Sequence, residues 1–528
     1  MPESQVTTID VLIAIAYIVI TIGIGIWYSR GKEDTEGYFL GGRSFAWPLV
    51  GLSLFATNQS GTSFIGLSSS GYANGIAVFN YEWTGALILV FFVVFFLPFY
   101  LRSKVYTMPE FLGRRFDIRS RYAHSAYTVL AETFIGLSAS LYAGGLALNQ
   151  LSPELPLWVC VVGLGVVAGG YTIVGGLSAV VITDAIQAVF IIIGSVVITV
   201  LVYQQIESIE QAASAAPIEA PLSLIQPASS ESVPWPGLVS GLLVIGVYYF
   251  CMNQLQVQRV LGAKSLDDGR LGALLGGALK LTLLFIIILP ATLAHPLYPD
   301  LENPDRIWPT LAFDLLPIGL RGLLLAALVA ALMSTIDSVL NALSTVITMD
   351  FVKNLKPDAG QDRLVAIGRI TTGVLLVVAM IWAPQIVRFP TLWGYLQAAV
   401  SYLTPSIVAV FVLGVFWRRA SNLAAFVTIV AGLLIGTIGF VANEVMGVFE
   451  IHFLYAAAFL FLASCLLMVA ISLAGEEDEP GERDELVWTR ALWHEESRDL
   501  ADTPWYRNYR YWSIALLLLT GSIVVAFW

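Results

Sequence analysis

Charged residues are scarce in this chain. Only 12% of its 528 residues are Asp, Glu, Lys or Arg, while 57% are hydrophobic. Soluble domains carry roughly twice that charged fraction, about 25%. The composition therefore excludes an ordinary soluble domain and indicates a polytopic membrane protein. The formal net charge of −11 also argues against a nucleic acid as a partner.

Cysteine and histidine are equally sparse. The three cysteines, Cys160, Cys251 and Cys465, lie far apart in apolar runs, so they predict neither a disulfide framework nor a thiolate metal site. There are only four histidines, and the sequence contains no Walker loop, HExxH motif or nucleophile elbow. We therefore expect no enzymatic activity. A cleaved signal peptide is not expected either, because residues 1–10 carry no Lys or Arg.

Long apolar runs are what the chain has in abundance. A membrane-spanning helix needs roughly 20 predominantly apolar residues. Fourteen segments qualify, near 8–28, 45–72, 78–101, 122–149, 156–175, 181–203, 236–262, 268–295, 318–352, 363–386, 391–416, 421–442, 450–474 and 510–528. We therefore predict an all-α fold with about 14 transmembrane helices.

Positive charges alternate along these predicted spans. The loops and flanks that follow odd-numbered spans hold 23 of the 27 Lys and Arg residues. The positive-inside rule places those loops in the cytoplasm. Both termini are then extracytoplasmic, and we expect a multi-pass protein of the cell (plasma or inner) membrane.

One predicted span, residues 45–72, is interrupted by a polar run at Thr57–Ser63 (TNQSGTS). A helix in hydrocarbon satisfies its backbone internally, whereas a break frees carbonyls at several kcal/mol each unless other groups take them up. Ion-coupled transporters contain such interrupted helices, in which a cation binds the freed carbonyls. A helix–helix seam of small and polar residues is the alternative interpretation.

Ionisable residues deep in membrane spans are costly and are functional candidates by default. They are Glu82, Glu132, Asp184, Lys280 and Asp337, with His124 near the end of a span. Glu82 could instead cap a helix at the interface, Asp184 could complement the dipole at a helix N-terminus, and Lys280 could snorkel. We interpret Glu132 and His124 as structural.

The predicted span 318–352 carries small and hydroxyl side chains on one face. Ala331, Ser334, Thr335 and Ser338 recur at i, i+3, i+4 and i+7, which is one face of an α-helix. Hydroxyls there can pair with helix carbonyls or act as hard oxygen ligands of a small cation. A Na⁺ ion between the 56–61 break and this face would find several oxygen ligands.

Six motifs, in order, resemble the sodium:solute symporter family. They are residues 60–72 (SGTSFIGLSSSGY), 81–83 (YEW), 108–116 (MPEFLGRRF), 183–187 (TDAIQ), 253–259 (NQLQVQR) and the pair 333–335 (MST) with 344–350 (STVITMD). The resemblance covers about residues 8–475 and is nearest to the sodium/sugar cotransporter branch.

The resemblance implies a LeuT-type core of two five-helix inverted repeats. The implied organisation is 1–44, an extra helix and cytoplasmic loop; 45–203, the first repeat; 204–235, an extracytoplasmic loop; 236–417, the second repeat; 418–474, extra helices; 475–509, a cytoplasmic linker; and 510–528, a C-terminal helix. The seventh predicted span is also polar at its middle, through Tyr248, Tyr249 and Asn253.

The resemblance also implies a sodium site formed by the carbonyls of Ala56, Gln59 and Ala331 with the hydroxyls of Ser334 and Thr335. Members that bind a second Na⁺ use an aspartate and a serine matching Asp184 and Ser338. Asp337 stands where many relatives have a small or hydroxylated residue. It could add a ligand to that second site or accept a proton.

The solute site implied by the resemblance consists of Asn58, Ser63, Glu82, Tyr249, Lys280 and Gln397. Glu82, Lys280 and Gln397 match positions that hydrogen-bond the sugar in the sugar-transporting branch. Tyr249 matches an inner gate that Asn58 helps to hold.

The chain departs from that branch at three positions. Ser63 replaces a longer amide, Gly85 replaces a serine, and Gly246 replaces an asparagine. These changes remove three polar contacts, and the freed volume could admit a bulkier polyol, an inositol or a sugar acid.

We therefore expect a sodium-coupled secondary active symporter that imports a sugar or polyol by alternating access. A sugar acid such as sialic acid, another carboxylate or an amino acid is the alternative solute. An ion channel is disfavoured, because the polar positions cluster around one midplane spot rather than along a continuous path.

Overall fold

The computed structural model describes residues 7–29, 35–59, 61–151, 154–230, 232–301, 304–388, 392–449, 451–476 and 482–528. Within these ranges the chain is predominantly helical and forms no β-strand, only two isolated bridges, Phe45 to Ala263 and Gln226 to Pro234. The prediction of an all-α fold is confirmed.

The α-helices, in chain order, are α1 Thr8–Ser29, α2 Thr35–Leu40, α3 Trp47–Asn58, α4 Gly61–Asn74, α5 Asn80–Phe95, α6 Leu97–Arg102, α7 Met108–Arg115, α8 Ile118–Ala131, α9 Ser138–Leu151, α10 Leu157–Gln205, α11 Ile209–Ser214, α12 Trp235–Leu238, α13 Gly241–Cys251, α14 Gln254–Leu261, α15 Leu266–Leu283, α16 Leu289–Thr292, α17 Ile307–Leu315, α18 Leu320–Val346, α19 Lys353–Leu355, α20 Gln361–Trp382, α21 Leu392–Leu403, α22 Pro405–Phe416, α23 Asn422–Phe440, α24 Phe453–Ala474, α25 Arg490–Asp499 and α26 Tyr509–Ala526. Short 3₁₀ and π turns link several of them.

The break predicted in span 45–72 is present. Helix α3 ends at Asn58, Gln59 leaves the helical conformation with φ −90° and ψ 72°, and α4 begins at Gly61. Ser60 lies outside the described residues. Because α3 ends here, the carbonyls of its last turn are left at the break. The prediction of an interrupted helix is confirmed.

A second break divides the seventh predicted span. Helices α13 and α14 meet at an angle of 44°. The N–H groups of Met252 and Asn253 both donate to the Tyr248 carbonyl at 2.9 Å, and the Asn253 side-chain oxygen accepts from the Leu255 N–H at 2.8 Å. The polar middle of this span therefore supplies its own cap for the second half-helix.

A third bend separates α21 from α22, also by 44°. Pro405 is the first residue of α22, and proline lacks the N–H that would continue the preceding helix. The span predicted at 391–416 is therefore bent rather than straight.

The predicted number of fourteen spans is not confirmed. Among the described residues, seven helices are long and apolar enough to cross a membrane, or up to nine if each bent pair is one span. The two spans predicted at 156–175 and 181–203 form one continuous helix, α10, of 49 residues. At 1.5 Å per residue its length is about 74 Å, more than twice a hydrocarbon core of about 30 Å.

Small residues let two of the central helices pack closely. Helix α15 packs against α3 and α5. A Cβ added to Gly51 would lie 2.9 Å from the Gly272 carbonyl oxygen, and one added to Gly272 would lie 2.6 Å from Val50 Cβ. Glycine on both helices therefore permits the close backbone approach that carries α15 alongside the broken helix.

A charged cluster on the C-terminal linker holds α25 against the membrane helices. Glu496 pairs with Arg270 of α15, pairs with Arg510 at 2.9 Å, and accepts the Tyr509 hydroxyl at 2.9 Å. The Arg270 guanidinium also stacks 4.0 Å above the Tyr509 ring. Burial raises the pKa of Glu496, but Arg270 and Arg510 lower it by more, so the net pKa lies below its ordinary value.

We expect Glu496→Gln to destabilise the protein by about 2 kcal/mol, because Arg270 would lose its counter-ion while remaining buried. Since the folded-state pKa of Glu496 is depressed, its contribution is present above the unfolded-state pKa and is lost as pH falls through the folded-state pKa. Melting temperatures of the wild type and the variant should therefore converge as pH is lowered from 7 toward about 4. The exposed neighbour Glu495→Gln is the control, and a gap that does not depend on pH would contradict the pairing.

Candidate functional site

The two broken helices face one internal cavity. Its volume is about 260 Å³, and residues of α3, α4, α5, α13, α15, α18 and α21 contribute to its wall. All six residues predicted for the solute site line it: Asn58, Ser63, Glu82, Tyr249, Lys280 and Gln397. They come from six different helices, so only the tertiary fold brings them together.

A buried ion pair holds the first break in place. Lys280 Nζ lies 2.5 Å from Glu82 Oε2 and also donates to Asn58 Oδ1. Gln59 Nε2 donates to the same two acceptors, at 2.9 Å to Asn58 and 3.2 Å to Glu82. The last residue of α3 and the non-helical Gln59 are thus fixed by groups on α5 and α15.

The structure rules out the simpler interpretations of Glu82 and Lys280. Lys280 is 2% exposed and Glu82 7%, so Lys280 does not snorkel to an interface. Glu82 does lie in the first turn of α5, but its carboxylate pairs with Lys280 across the site rather than capping its own helix. Both side chains belong to the cavity.

The space at two of the glycines is already filled. A Cβ on Gly85 would lie 2.7 Å from Lys280 Cε and 2.8 Å from Phe250 Cε2, and one on Gly246 would lie 2.3 Å from Ile88 Cδ1. A larger side chain at either position would therefore displace these neighbouring side chains, and the expectation of volume for a bulkier solute stays a prediction.

The residues predicted for sodium fall where α18 packs against both halves of the broken helix. Ala56 and Gln59 are buried in the last turn and break of α3, and Thr335 is buried on α18 and lines the cavity. Ala331 and Ser334 lie on α18, but their side chains are outside the described part of the structure. The hydroxyl-bearing helix and the break are thus neighbours.

The residues predicted for a second sodium are joined by an arginine. Asp184 Oδ2 accepts the hydroxyls of Ser53 at 2.8 Å and Thr57 at 3.2 Å, and Arg259 Nη2 lies 3.6 Å from it. The same guanidinium donates to Ser338 Oγ, and its Nε donates to Thr57 at 3.0 Å. Asp184 lies deep inside α10, so its interpretation as an N-terminal helix residue is wrong.

The sequence did not indicate a role for Arg259. It belongs to the positive charges that follow odd-numbered spans, yet its side chain is fully buried. The available signal was its place at the end of the motif 253–259, one turn and a half beyond the second break. Asp337, the remaining predicted residue, is fully buried on α18 beside Ser338.

Two further polar residues complete the cavity wall. Glu132 begins a π turn between α8 and α9, and its Oε1 accepts from Asn253 Nδ2 at 2.8 Å. Both line the cavity, so the interpretation of Glu132 as merely structural does not fit its position. His124 is buried, with its ring edge-on to Phe411 at 5.5 Å.

Membrane helices that break beside a shared polar cavity are characteristic of secondary transporters. A model of the sodium:solute symporter family matches residues 38–432. The chain therefore belongs to the sodium:solute symporter family. It is a sodium-coupled symporter of a membrane and not an enzyme.

Several curated proteins are similar in sequence to this chain over most of their length. The chain is 32% identical to sodium/glucose cotransporter 4 of Danio rerio, over 94% of this chain and 83% of that protein. It is 33% identical to sodium/myo-inositol cotransporter 2 of Oryctolagus cuniculus, covering 92% and 80%. It is 35% identical to the sodium/glucose cotransporter of Vibrio parahaemolyticus, covering 82% and 85%.

Solved structures support the fold. A substrate-bound, outward-open sodium-coupled sialic acid symporter matches with a TM-score of 0.79 at 22% identity, over 90% of this chain and 100% of that chain. A nucleobase-cation-symport-1 family transporter matches with a TM-score of 0.50 at 15% identity, over 87% and 99%. At these identities the likeness concerns the fold alone.

Gly85→Ala should displace the Lys280 ammonium from Glu82 and Asn58, because the new methyl would lie only 2.7 Å from Lys280 Cε. We expect the apparent KM for sodium-driven uptake of a sugar or polyol that stabilises the wild type in sodium to rise roughly tenfold, corresponding to about 1.4 kcal/mol of lost contact. Gly163→Ala is the matched control, since a Cβ there meets nothing within 4 Å. Equal KM values for both variants would show that the ion pair does not shape the site.

Proposed function

We propose that this protein imports a sugar or polyol together with sodium by alternating access. The observation that supports this most directly is the single cavity lined by Glu82, Lys280, Gln397 and Thr335 beside the break in α3/α4. Carboxylate, ammonium and amide groups together offer donors and acceptors suited to vicinal hydroxyls. The names of the sodium/glucose and sodium/myo-inositol relatives agree with this solute class.

In this proposal Asn58, Ser63, Glu82, Tyr249, Lys280 and Gln397 contact the solute. Tyr249 is the gate between the cavity and the second break, and Gln256 Nε2 donates to its hydroxyl at 2.9 Å. Ser63 Oγ donates to the Asn58 carbonyl at 3.3 Å and so ties the start of α4 to the end of α3. No observation on the site favours an amino acid over a hydroxylated solute.

Sodium would bind where α18 meets the break, through the carbonyls of Ala56, Gln59 and Ala331 and the hydroxyls of Ser334 and Thr335. There it would bridge two elements that separate during transport and would stabilise the state with a formed solute pocket. By thermodynamic linkage, the solute must then raise sodium affinity by the same factor. Each Na⁺ entering down the membrane potential contributes about 2.3 kcal/mol per 100 mV.

The proposed architecture has fourteen spans and a LeuT-type core, with inverted repeats at 45–203 and 236–417. Two features support it: the first span of each repeat is broken, and the stretches predicted as spans at 156–175 and 181–203 are both helical. The Lys and Arg distribution supports extracytoplasmic termini in the plasma or inner membrane.

Thr335→Ala should reduce sodium stimulation of solute uptake by about tenfold or more, because a hydroxyl ligand is removed from the site. Uptake would be measured in proteoliposomes for hits from a thermal-shift panel of sugars, polyols, sugar acids and amino acids, each in sodium and in potassium. Thr335→Ser should retain most stimulation. Thr372→Ala, which removes a buried hydroxyl that donates to the Gly368 carbonyl of its own helix at 3.0 Å, is the control.

Two results would count against the proposal. Full sodium stimulation in Thr335→Ala would remove the sodium site. A panel in which only amino acids stabilise the protein in sodium would overturn the solute class while leaving sodium coupling intact.

We further propose that one sodium ion moves per cycle. In the described arrangement the Arg259 guanidinium provides the positive charge at Asp184 and Ser338 that a second Na⁺ would otherwise provide. The sodium dependence of uptake should then have a Hill coefficient close to one.

Asp184→Asn should chiefly lower stability, because a buried charge left without its partner costs about 3–5 kcal/mol. Melting temperature and Hill coefficient would be measured on the same preparations. A wild-type coefficient near two that falls to one in Asp184→Asn would instead establish a second ion at Asp184.

A further inference from the structure

Glu132 places an additional carboxylate on the cavity wall, away from the Glu82–Lys280 pair. It begins the π turn Glu132–Leu137, a distortion that is frequent at functional sites. The side chain is partly exposed and lines the cavity. The side chain is therefore accessible from the cavity.

The surroundings of this carboxylate hold it in one position. Oε1 accepts from Asn253 Nδ2 at 2.8 Å, while the Asn253 oxygen caps the N–H of Leu255. A Cβ added to Gly136 would lie only 2.3 Å from Glu132 Oε2, so glycine at that position makes the room that Oε2 uses. The carboxylate is thus anchored through one oxygen and presents the other.

The charges on the cavity wall do not balance. The lining residues include two carboxylates, Glu82 and Glu132, and one ammonium, Lys280. Lys280 is paired with Glu82 at 2.5 Å. Among the described residues, no Lys, Arg or His nitrogen lies within ion-pair distance of Glu132. One negative charge therefore remains without a counter-ion in a low-dielectric interior, where such charges are costly.

We propose that Glu132 determines solute charge: it admits uncharged hydroxylated solutes and excludes those that carry a carboxylate. This inference rests on the proposed sodium-coupled function, because Na⁺ at Thr335 supplies the missing positive charge in the same cavity. Sodium with a neutral solute leaves the cavity balanced, whereas sodium with a sugar acid leaves one uncompensated negative charge. Glu132 Oε2 also accepts a hydrogen bond from a hydroxyl, which a carboxylate group on the solute cannot donate.

The proposal is tested with sugars that differ only in charge. Glucose with glucuronate, and galactose with galacturonate, exchange a CH₂OH group for a carboxylate on the same ring. Binding to the full-length detergent-solubilised protein would be measured by thermal shift and by competition, in sodium. Wild type, Glu132→Gln and Glu132→Asp are compared, with the exposed Glu207→Gln as the control for loss of one charge elsewhere.

In the wild type the neutral sugar should bind and the acid should not. Glu132→Gln should lower the preference for the neutral member of a pair by about tenfold to hundredfold, the effect of one charge at close range. Glu132→Asp and Glu207→Gln should keep that preference. Strong binding of the acid by the wild type overturns the inference, and so does an unchanged preference in Glu132→Gln, which is the behaviour of a protonated Glu132.

A second measurement needs no transported solute. Val400 is a partly exposed residue of the same cavity wall. The Val400→Cys thiol is modified with two methanethiosulfonates, one that bears a trimethylammonium group and one that bears a sulfonate. Modification is followed by peptide mass, so that the three native cysteines are read separately. After each rate is normalised to the rate with a free thiol, the ratio of the two should favour the trimethylammonium reagent. It should fall by about tenfold when Glu132→Gln is added.

The two measurements separate failure of this inference from failure of the proposed function. A cavity that favours the cationic reagent through Glu132, in a protein that binds no sugar, would reject the sugar assignment and retain the charge filter. A cavity that is indifferent to reagent charge would reject the filter even if sugar binding and sodium coupling are both found.

Discussion

A break in a membrane helix must find partners for its backbone within the protein, and the rest of this structure depends on how that requirement is met. Hydrocarbon offers no hydrogen bonds, so an unsupported break costs several kcal/mol for each exposed group. Here Ser63 Oγ donates to the Asn58 carbonyl at 3.3 Å, while Lys280 and Glu82 hold the side chains of Asn58 and Gln59 from two other helices. The interruption is thereby kept open as a site instead of closing into a regular helix.

Helix α3, which ends at the break, is also held by a second buried charge network. Ser53 and Thr57 of α3 bond to Asp184, and Arg259 links that carboxylate to α18 through Ser338. Two segments, α3 and α14, therefore contact this carboxylate of α10, and a third, α18, is linked to it through Arg259. Because breaking a buried pair leaves an uncompensated charge, the network fixes α3 against α18 on one side of the proposed sodium site. Any motion that opens this side must exchange these contacts for others.

The net charge of the cavity depends on the solute, the sodium ion and the wall residues together. Solute, sodium and wall residues share a small low-dielectric space, in which the total charge matters more than any single pair. The ion pair of Glu82 and Lys280 is neutral as a unit, whereas Glu132 is not. Coupling a cation to an uncharged solute is consistent with a wall that carries one surplus carboxylate.

The sequence allowed the helix breaks to be located because they are local features. A polar run inside an apolar span predicted the break within residues 57–63, which is confirmed. A hydroxyl face at helical spacing pointed to Thr335, which lies on the cavity wall. The partners of the charged side chains could not be predicted from local sequence patterns. Lys280 and Asn58 are 222 residues apart, and Thr57 and Asp184 are 127 apart, so no local pattern connects them.

By itself the sequence determined a helical membrane protein, the break at residues 57–63, the polar middle of the seventh span and the family, because hydropathy, polarity and motifs are properties of short segments. Only the tertiary structure decided that Arg259 is a buried partner of Asp184, that Glu132 lines the cavity, and that side chains from other helices lie against the glycines at 85 and 246. Those outcomes depend on which side chains from distant segments fill the same few ångströms. Helix packing determines which side chains meet there, and local sequence propensity does not.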